Sequence, residues 1–249
     1  MEIKVMSFNI HQGRGIDKKL DLQRIAEVIK YSQADIIGLN EVDRFFSARS
    51  RFEDQALYLA NELEMNYVYG PAVTIDTPAE NNPRQFGNAI LTRFQIVKSE
   101  NHPFDFLPKV VEDRALLEVT VKAGKQEVTA FTTHLSLTPF LHQRQATFIV
   151  NAVKKSKGPS FVMGDWNMTP YSIAWRKVTK SLKDAWLETN LSLRGGNTFP
   201  SARPFRRLDY IFTGKELEPV DCRIINSDIQ ASDHLPVLAT LQIKPDIKK

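Results

Sequence analysis

Asp165 and Asn167 stand at the end of a short apolar run, Pro159-Ser160-Phe161-Val162-Met163-Gly164-Asp165-Trp166-Asn167. An apolar run of this length between turn signals reads as a buried strand. Residues two apart in an extended chain share a face, so the carboxylate and the carboxamide project together from the strand's end. Gly164 beside them permits close approach of a ligand or a neighbouring strand. An Asx-type turn would use the same residues, and the pair alone does not separate the two readings.

The arrangement recurs along the chain. Asn9 and His11 share a face where the apolar stretch at residues 3–10 ends, and Glu41 with Asp43 closes residues 34–43. Asn88, His134, Asp209 and the pair Asp233-His234 also stand where apolar runs stop. Each alone is a turn former, a cap or a surface group. Their repeated position points to one site, because ligands of α/β sheets gather at strand ends. Carboxylates with amide oxygens make a hard-cation site, and Mg2+ prefers one or two carboxylates plus waters and substrate phosphate, with Mn2+ as a substitute. Zinc is less natural, since the chain has neither a cysteine cluster nor a His-x-x-x-His pair. A histidine beside carboxylates can serve as acid or base near neutral pH. Phosphodiester hydrolysis needs a positioned water, charge stabilisation on the phosphoryl oxygens and help for the leaving oxygen, and this inventory covers all three.

The elements that must position these groups follow from hydrophobic periodicity. Asp21 caps an expected helix through Lys30, striped by Leu22, Ile25, Ala26, Val28 and Ile29. With strands at 3–10 and 34–43 this gives a crossover unit. Residues 44–51 form an aromatic and arginine loop, either a solvated connection or a phosphate-facing rim. A helix is expected at 53–63, a strand at 66–73, a long polar loop at 74–86 and a strand beginning at 87–93. Residues 110–121 and 127–134 read as paired strands turning at Gly124. Helices follow at 140–155 and 172–182, an irregular stretch at 183–205, and strands at 207–213, 221–226 and 235–243. The strand-helix-strand order occurs in both halves, and no linker or composition break divides residues 1–249, so one domain is expected.

With 42% hydrophobic and 25% charged residues the chain has ample material for a core. Its net charge of +4 suits anionic substrates without choosing among them. Cys222 is the only cysteine, which excludes an internal disulfide and favours a reducing compartment. There is no basic-then-apolar leader and no run near the ~20 apolar residues of a membrane span. A cytoplasmic protein with no integral membrane segment, monomeric by default, is the expectation.

The strings Phe8-Asn9-Ile10-His11, Gly38-Leu39-Asn40-Glu41, Gly87-Asn88-Ala89-Ile90-Leu91, Thr133-His134-Leu135, Gly164-Asp165-Trp166-Asn167, Arg207-Leu208-Asp209-Tyr210-Ile211 and Ser232-Asp233-His234-Leu235-Pro236 occur in that order. Together they resemble the endonuclease/exonuclease/phosphatase superfamily, over residues 5 to 240. The resemblance implies a four-layered α/β sandwich, two mixed β-sheets face to face with helices on both outer sides, and a site at one rim. It implies Glu41 as main magnesium ligand with Asn9 and Asp233 nearby. Asp165 would orient or deprotonate the attacking water, supported by Asn167. His234, polarised by Asp209, and His134 would hold the scissile phosphate. The implied activity is metal-dependent phosphoester hydrolysis, on a phosphodiester or phosphomonoester. A DNA or RNA nuclease, or a silent binding protein of the same fold, is the alternative, so nucleic acid is a candidate partner.

One departure matters. Nuclease-like members carry an acidic residue two after the strand-one asparagine, where this chain has His11, so the site holds less anionic charge. The chain resembles instead a bacterial branch of metal-dependent hydrolases with an Asn-Ile-His string. His11 reads as a phosphate contact or as a supporting hydrogen-bonding group. Among substrate-binding candidates, Asn88 and His11 are joined by Arg114, and Arg206 or Arg207 is a further clamp, since planar guanidinium matches phosphate in two places. Trp166, Phe199 and Phe205 would either wall the site or pack in the core.

Overall fold

The computed structural model describes residues 1–76, 82–104, 113–190, 192 and 195–244. In chain order, β1 (Glu2–Asn9), α1 (Leu22–Ser32), β2 (Ile36–Arg44), α2 (Gln55–Leu63), β3 (Asn66–Ile75) and β4 (Arg84–Thr92) form the first half. The second comprises β5 (Gln95–Pro103), β6 (Ala115–Ala123), β7 (Gln126–His134), α3 (Pro139–Lys155), β8 (Ser160–Asp165), α4 (Ile173–Thr179), β9 (Lys183–Asp184), α5 (Ala185–Asn190) and β10 (Asp209–Thr213). β11 (Leu217–Ile224) and β12 (Val237–Ile243) close the chain.

Local chemistry sets the boundaries. Asp21 caps α1 by accepting from the Arg24 amide, and Gln33 ends it in the left-handed conformation. Asp54 and Ser172 cap α2 and α4 in the same way. The strands build two six-stranded sheets, ordered β11-β12-β1-β2-β4-β3 and β5-β6-β7-β8-β10-β9. Each has one parallel pair, β1 with β2 and β7 with β8, and antiparallel neighbours elsewhere. The parallel pairs are the ones joined through α1 and α3, as a crossover connection requires.

Three apolar clusters make four layers. Ile3, Val5, Ile36 and Ile90 of the first sheet meet Leu117, Val119, Phe161 and Met163 of the second between the sheets. Met6, Phe8, Ile37 and Leu39 pack outward on Ile25, Ile29 and Leu59 of α1 and α2. Phe131, Val162 and Phe212 pack outward on Ile149, Val153 and Val178 of α3 and α4. Alternate residues of one strand therefore serve two cores, and each fully buried Ile, Leu or Phe contributes about 1.5–3 kcal/mol of transfer free energy. The expected four-layered α/β sandwich is the observed architecture. Gly38 lets the sheets approach, since a Cβ there would sit 2.7 Å from Met163 Cε and 2.8 Å from Thr132 Oγ1.

Several boundaries differ from expectation. β5 has no counterpart in the sequence reading, because its residues are mostly exposed and show no apolar alternation; pairing with β6 makes it a strand. β3 and β4 extend into the expected 74–86 loop, of which residues 77–81 lie outside the described residues. β6 starts at Ala115 rather than 110, and residues 110–112 also lie outside them. The irregular 183–205 stretch contains β9 and α5. No described helix is long and apolar enough to cross a membrane.

Candidate active site

Sheet register lines up the polar groups. In the second sheet His134, Asp165 and Asp209 are paired residues on three adjacent strands, so their side chains stand side by side at one rim. Gly164 makes this possible: its φ is 143°, and a Cβ there would lie 1.9 Å from the Thr133 carbonyl oxygen. In the first sheet Asn9 pairs with Asn40, and the ladder between β2 and β4 shifts register between Leu39 and Val42, opposite Asn88. That bulge turns Glu41 to the rim with φ 56°. His11 (φ 46°), Gln12 (φ 54°) and Asn167 (φ 45°) are also left-handed. Four non-glycine residues in this costly conformation meet at one place, which makes it the candidate site.

The two rims are bolted together by amides. Asn9 Nδ2 donates to Glu41 Oε1 and to Asp165 Oδ2, each at 3.1 Å. Asn40 Oδ1 accepts the Asp165 amide at 2.9 Å, while Asn40 Nδ2 donates to Asn88 Oδ1 at 2.8 Å and the Thr133 carbonyl at 3.0 Å. The Asn167 amide donates to Asp165 Oδ1 at 2.9 Å. Gln12 Nε2 contacts the second Glu41 oxygen, and Gln55 holds Gln12 through its carbonyl.

Charge is concentrated on the second-sheet side. Asp165 and Asp209 are 1% exposed and His134 and His234 6%. His234 Nδ1 donates to Asp209 Oδ2 at 2.8 Å, and its Nε2 lies 3.7 Å from Asp165 Oδ2. Burial opposes the imidazolium, but Asp209, Asp165 and the Asp209 hydrogen bond outweigh it and push the His234 pKa up to about 10. Burial, then the charge of Asp209, pushes Asp165 up to about 7, against His234 and the Asn167 and Asn9 donors. His134 moves the other way: burial, Arg114 and His234 hold it well below 6.5. Arg114 Nη1 donates to His134 Nδ1 at 3.1 Å, which leaves the proton of a neutral ring on Nε2, 3.4 Å from Asp165 Oδ2. Asn167 Nδ2 lies 3.0 Å from the same nitrogen. The set thus pairs a carboxyl of near-neutral pKa with an imidazole that is cationic at neutral pH and a second imidazole that is neutral.

A cavity of about 460 Å³ opens on these groups, lined among others by Glu41, Arg114, His134, Asp165, Asn167 and His234. The structure therefore brings together most of the expected residues, and separates others. Asn88 does not line the cleft; its carboxamide is spent on Asn40 and the Ala115 carbonyl. Asp233 and His11 line an adjoining cavity, 3.8 Å apart. Arg207 is buried in a two-point pair with Asp184 at 2.8 and 3.2 Å, so it clamps the fold, whereas the exposed Arg206 lines the cleft. Trp166 is core, edge-on to Phe212 at 4.9 Å, but Phe199 walls the cleft 4.9 Å from the His234 ring and Phe205 is exposed.

Asn40 and Gln12 have no role assigned by the sequence alone, whereas Arg49 belongs to the 44–51 loop expected as either a solvated connection or a phosphate-facing rim. Asn40 lies inside an apolar run with nothing to distinguish it from a turn former. Arg49 donates to both Asp43 oxygens at 2.8 and 2.7 Å and stacks over Phe46 and Phe86, which takes the 44–51 loop to the cleft wall. Two groups of side chains have metal-ligand proximity among the described residues: Asp165-Asp209-His234, and Glu100-His102-Glu118 on β5 and β6.

The comparisons with known proteins agree with this geometry. No curated protein matches the chain. Solved structures do. An endonuclease/exonuclease/phosphatase from Beutenbergia cavernae is 27% identical, with TM-score 0.82 over 98% of this chain and 72% of that one. Bacteroides thetaiotaomicron mannosyl-6-phosphatase is 20% identical, with TM-score 0.74 over 97% of this chain and 100% of that one. Caenorhabditis elegans TDP2 is 22% identical, with TM-score 0.71 over 97% of this chain and 74% of that one. The family model described as Endonuclease/Exonuclease/phosphatase family matches residues 6–234, and the chain belongs to that family.

Proposed function

We propose that this protein is a magnesium-dependent phosphoesterase, with Mn2+ as a substitute, that hydrolyses a phosphodiester or phosphomonoester by direct attack of water. The observation that carries the reading is the row His134-Asp165-Asp209 with His234 behind it and Glu41 across the same cleft. Family members are typically phosphoester hydrolases, and the structural neighbours include a mannosyl-6-phosphatase and TDP2.

Members are also generally dependent on a divalent metal, and the donor set fits one. Glu41 is half-buried on the cleft wall, where the waters that Mg2+ retains have room. Asp165-Asp209-His234 fits less well, because Asp209 already binds the ring and an imidazolium offers no lone pair. Glu41 would hold the ion, with Asn9 orienting the carboxylate and Asp233 nearer the rim. The ion would supply positive charge to the phosphoryl and leaving oxygens.

The chain's own residues do the rest. Asp165, oriented by Asn9 and the Asn167 amide, takes a proton from the water as its oxygen bonds to phosphorus and the P–O bond to the alcohol breaks. The His234 cation, kept charged by Asp209, and the Nε2–H of His134 face the phosphoryl oxygens as their charge develops. Arg114 fixes the His134 tautomer. Nuclease action is the second reading, favoured by the arginine and aromatic wall of Arg49, Phe46 and Arg206.

The test is hydrolysis of bis-p-nitrophenyl and p-nitrophenyl phosphate with Mg2+, Mn2+ or chelator. Metal-stimulated turnover, lost in Glu41→Ala and Asp165→Asn with melting curves preserved, is expected. Full activity in either variant sinks the proposal.

A further inference from the structure

Beside the catalytic cleft lies a second cavity of about 650 Å³, lined by residues of the loop after β1, by Arg49 and by Asp233. The two cavities share Gln12 and Arg49, and Gln12 touches Glu41, so they meet at the metal side of the cleft. The volume is that of a small-molecule subsite.

Its charge is unbalanced. Arg14, Lys18 and Arg49 line it against one carboxylate, Asp233, which lies 3.8 Å from His11. Arg49 is neutralised by Asp43, but Arg14 and Lys18 have no ion-pair partner among the described residues. The one acidic residue between them, Asp17, is drawn off: Arg24 pairs with it at 3.1 Å and the Lys19 amide donates to it.

The loop is nevertheless built rather than slack. Gly13, Arg14, Gly15 and Lys18 amides donate within it, Ile16 donates to the Gln230 carbonyl, and His11, Gln12 and Lys18 hold left-handed backbone. Such a loop fixes the backbone from which two exposed, uncompensated cations project. Cations kept free of nearby acids, on a fixed loop in a cavity continuous with a phosphoester site, are arranged for a second anion.

We infer that Arg14 and Lys18 form an anion subsite, so that the preferred substrate is a phosphoester whose alcohol portion carries a second phosphate or carboxylate. This rests on the proposed hydrolase reading for the position of the first phosphate. On that reading the leaving alcohol is the portion toward Glu41, and the cavity, which shares Gln12 and Arg49 with the cleft, is the space it would occupy.

Matched substrates test it. Phosphate release with Mg2+ is compared for glycerol phosphate and phosphoglycerate, which differ in a carboxylate on the alcohol. A second arm follows, by chromatography of the nucleoside and nucleotide products, diester cleavage of a thymidine dinucleotide with and without a terminal phosphate. We expect roughly tenfold higher kcat/KM for the more anionic member, one charge-assisted contact's worth. The ratio should fall to about one in Arg14→Ala/Lys18→Ala and persist in the charge-preserving Arg14→Lys/Lys18→Arg, with matched melting curves. Preference in the dinucleotide arm alone sustains the subsite and assigns its second anion to a nucleic acid; preference in the first arm assigns it to a small molecule. No preference in either arm, or equal loss on both members in the double alanine variant, overturns it. If the wild type hydrolyses none of the four, calorimetry decides the subsite alone, and the p-nitrophenyl esters decide the hydrolase reading separately. Tighter binding of phosphoglycerate than of glycerol phosphate, lost in the double alanine variant, sustains it, and equal affinities overturn it.

Discussion

The two sheets carry the same strand order with different cargo. Around their parallel pairs, β1-β2-β4-β3 corresponds to β7-β8-β10-β9, and the antiparallel flanks β11-β12 and β5-β6 correspond as well. The last residue of β1 is Asn9 and the last of β7 is His134. Their parallel partners are Asn40 and Asp165, and the next strand contributes Asn88 and Asp209. One rim thus presents three asparagines and the other a histidine and two aspartates. Asparagine can donate and accept at once, so the first row ties the sheets together and holds Glu41 and Asp165 in place. The second row is buried and ionisable, with Asp165 pushed up to about 7 and His134 held well below 6.5, and it is the row proposed to supply the acid–base chemistry. Under the proposed function, a shared architecture therefore separates a positioning row from a reacting row.

The largest effect should come from removing the reacting carboxylate. Asp165→Asn is expected to lower kcat at least about a thousandfold, within the range for a general base and its electrostatics. Its melting temperature at alkaline pH should hold or rise, since burying that charge is unfavourable, which is why its pKa is raised to about 7. A drop in both activity and stability would blur the two rows.

Asp209→Asn should cost roughly a hundredfold in kcat/KM and move the alkaline limb of activity downward, because His234 loses the main interaction holding its pKa near 10. The sign for stability is definite. A folded pKa above the unfolded 6.5 contributes stability that is whole below pH 6.5 and lost as pH rises through about 10. Wild-type melting temperature should therefore fall across that window, and less so in Asp209→Asn. Proton NMR of the His234 ring gives the midpoint directly; an unshifted midpoint in the variant would refute the assignment.

In the amide row the cost should shift from activity to stability. Asn40→Asp removes two donations, to Asn88 and to the Thr133 carbonyl, and buries a carboxylate in their place. We expect about 2–4 kcal/mol of destabilisation in urea unfolding. Asn88→Ala, which leaves Asn40 short of one acceptor, should cost about 1 kcal/mol and change kcat less than about threefold. A kcat loss comparable to that of Asp165→Asn would show that Asn88 touches substrate and that the rows are not distinct.

Periodicity and turn chemistry were enough to place most strands, the capped helix after Asp21 and the polar groups at their ends. The ordered strings carried the sandwich architecture only through their resemblance to a family of that fold. β5 and β9 were illegible, since a mostly exposed edge strand and a two-residue edge strand exist only by pairing with a neighbour. Arg206 and Arg207 look alike in the chain, yet one lines the cleft and the other is locked to Asp184.

Residue types and their positions at strand ends, then, are properties of the chain alone: they specify which groups are available and that they gather at a rim. Which of them react is decided by tertiary structure, because it depends on register and desolvation. Asp165 and Asn167 share a strand end in the sequence. Pairing with His134 and Asp209, burial to 1% exposure and an amide from Asn9 in the other sheet are what suit Asp165 to the proposed role of base.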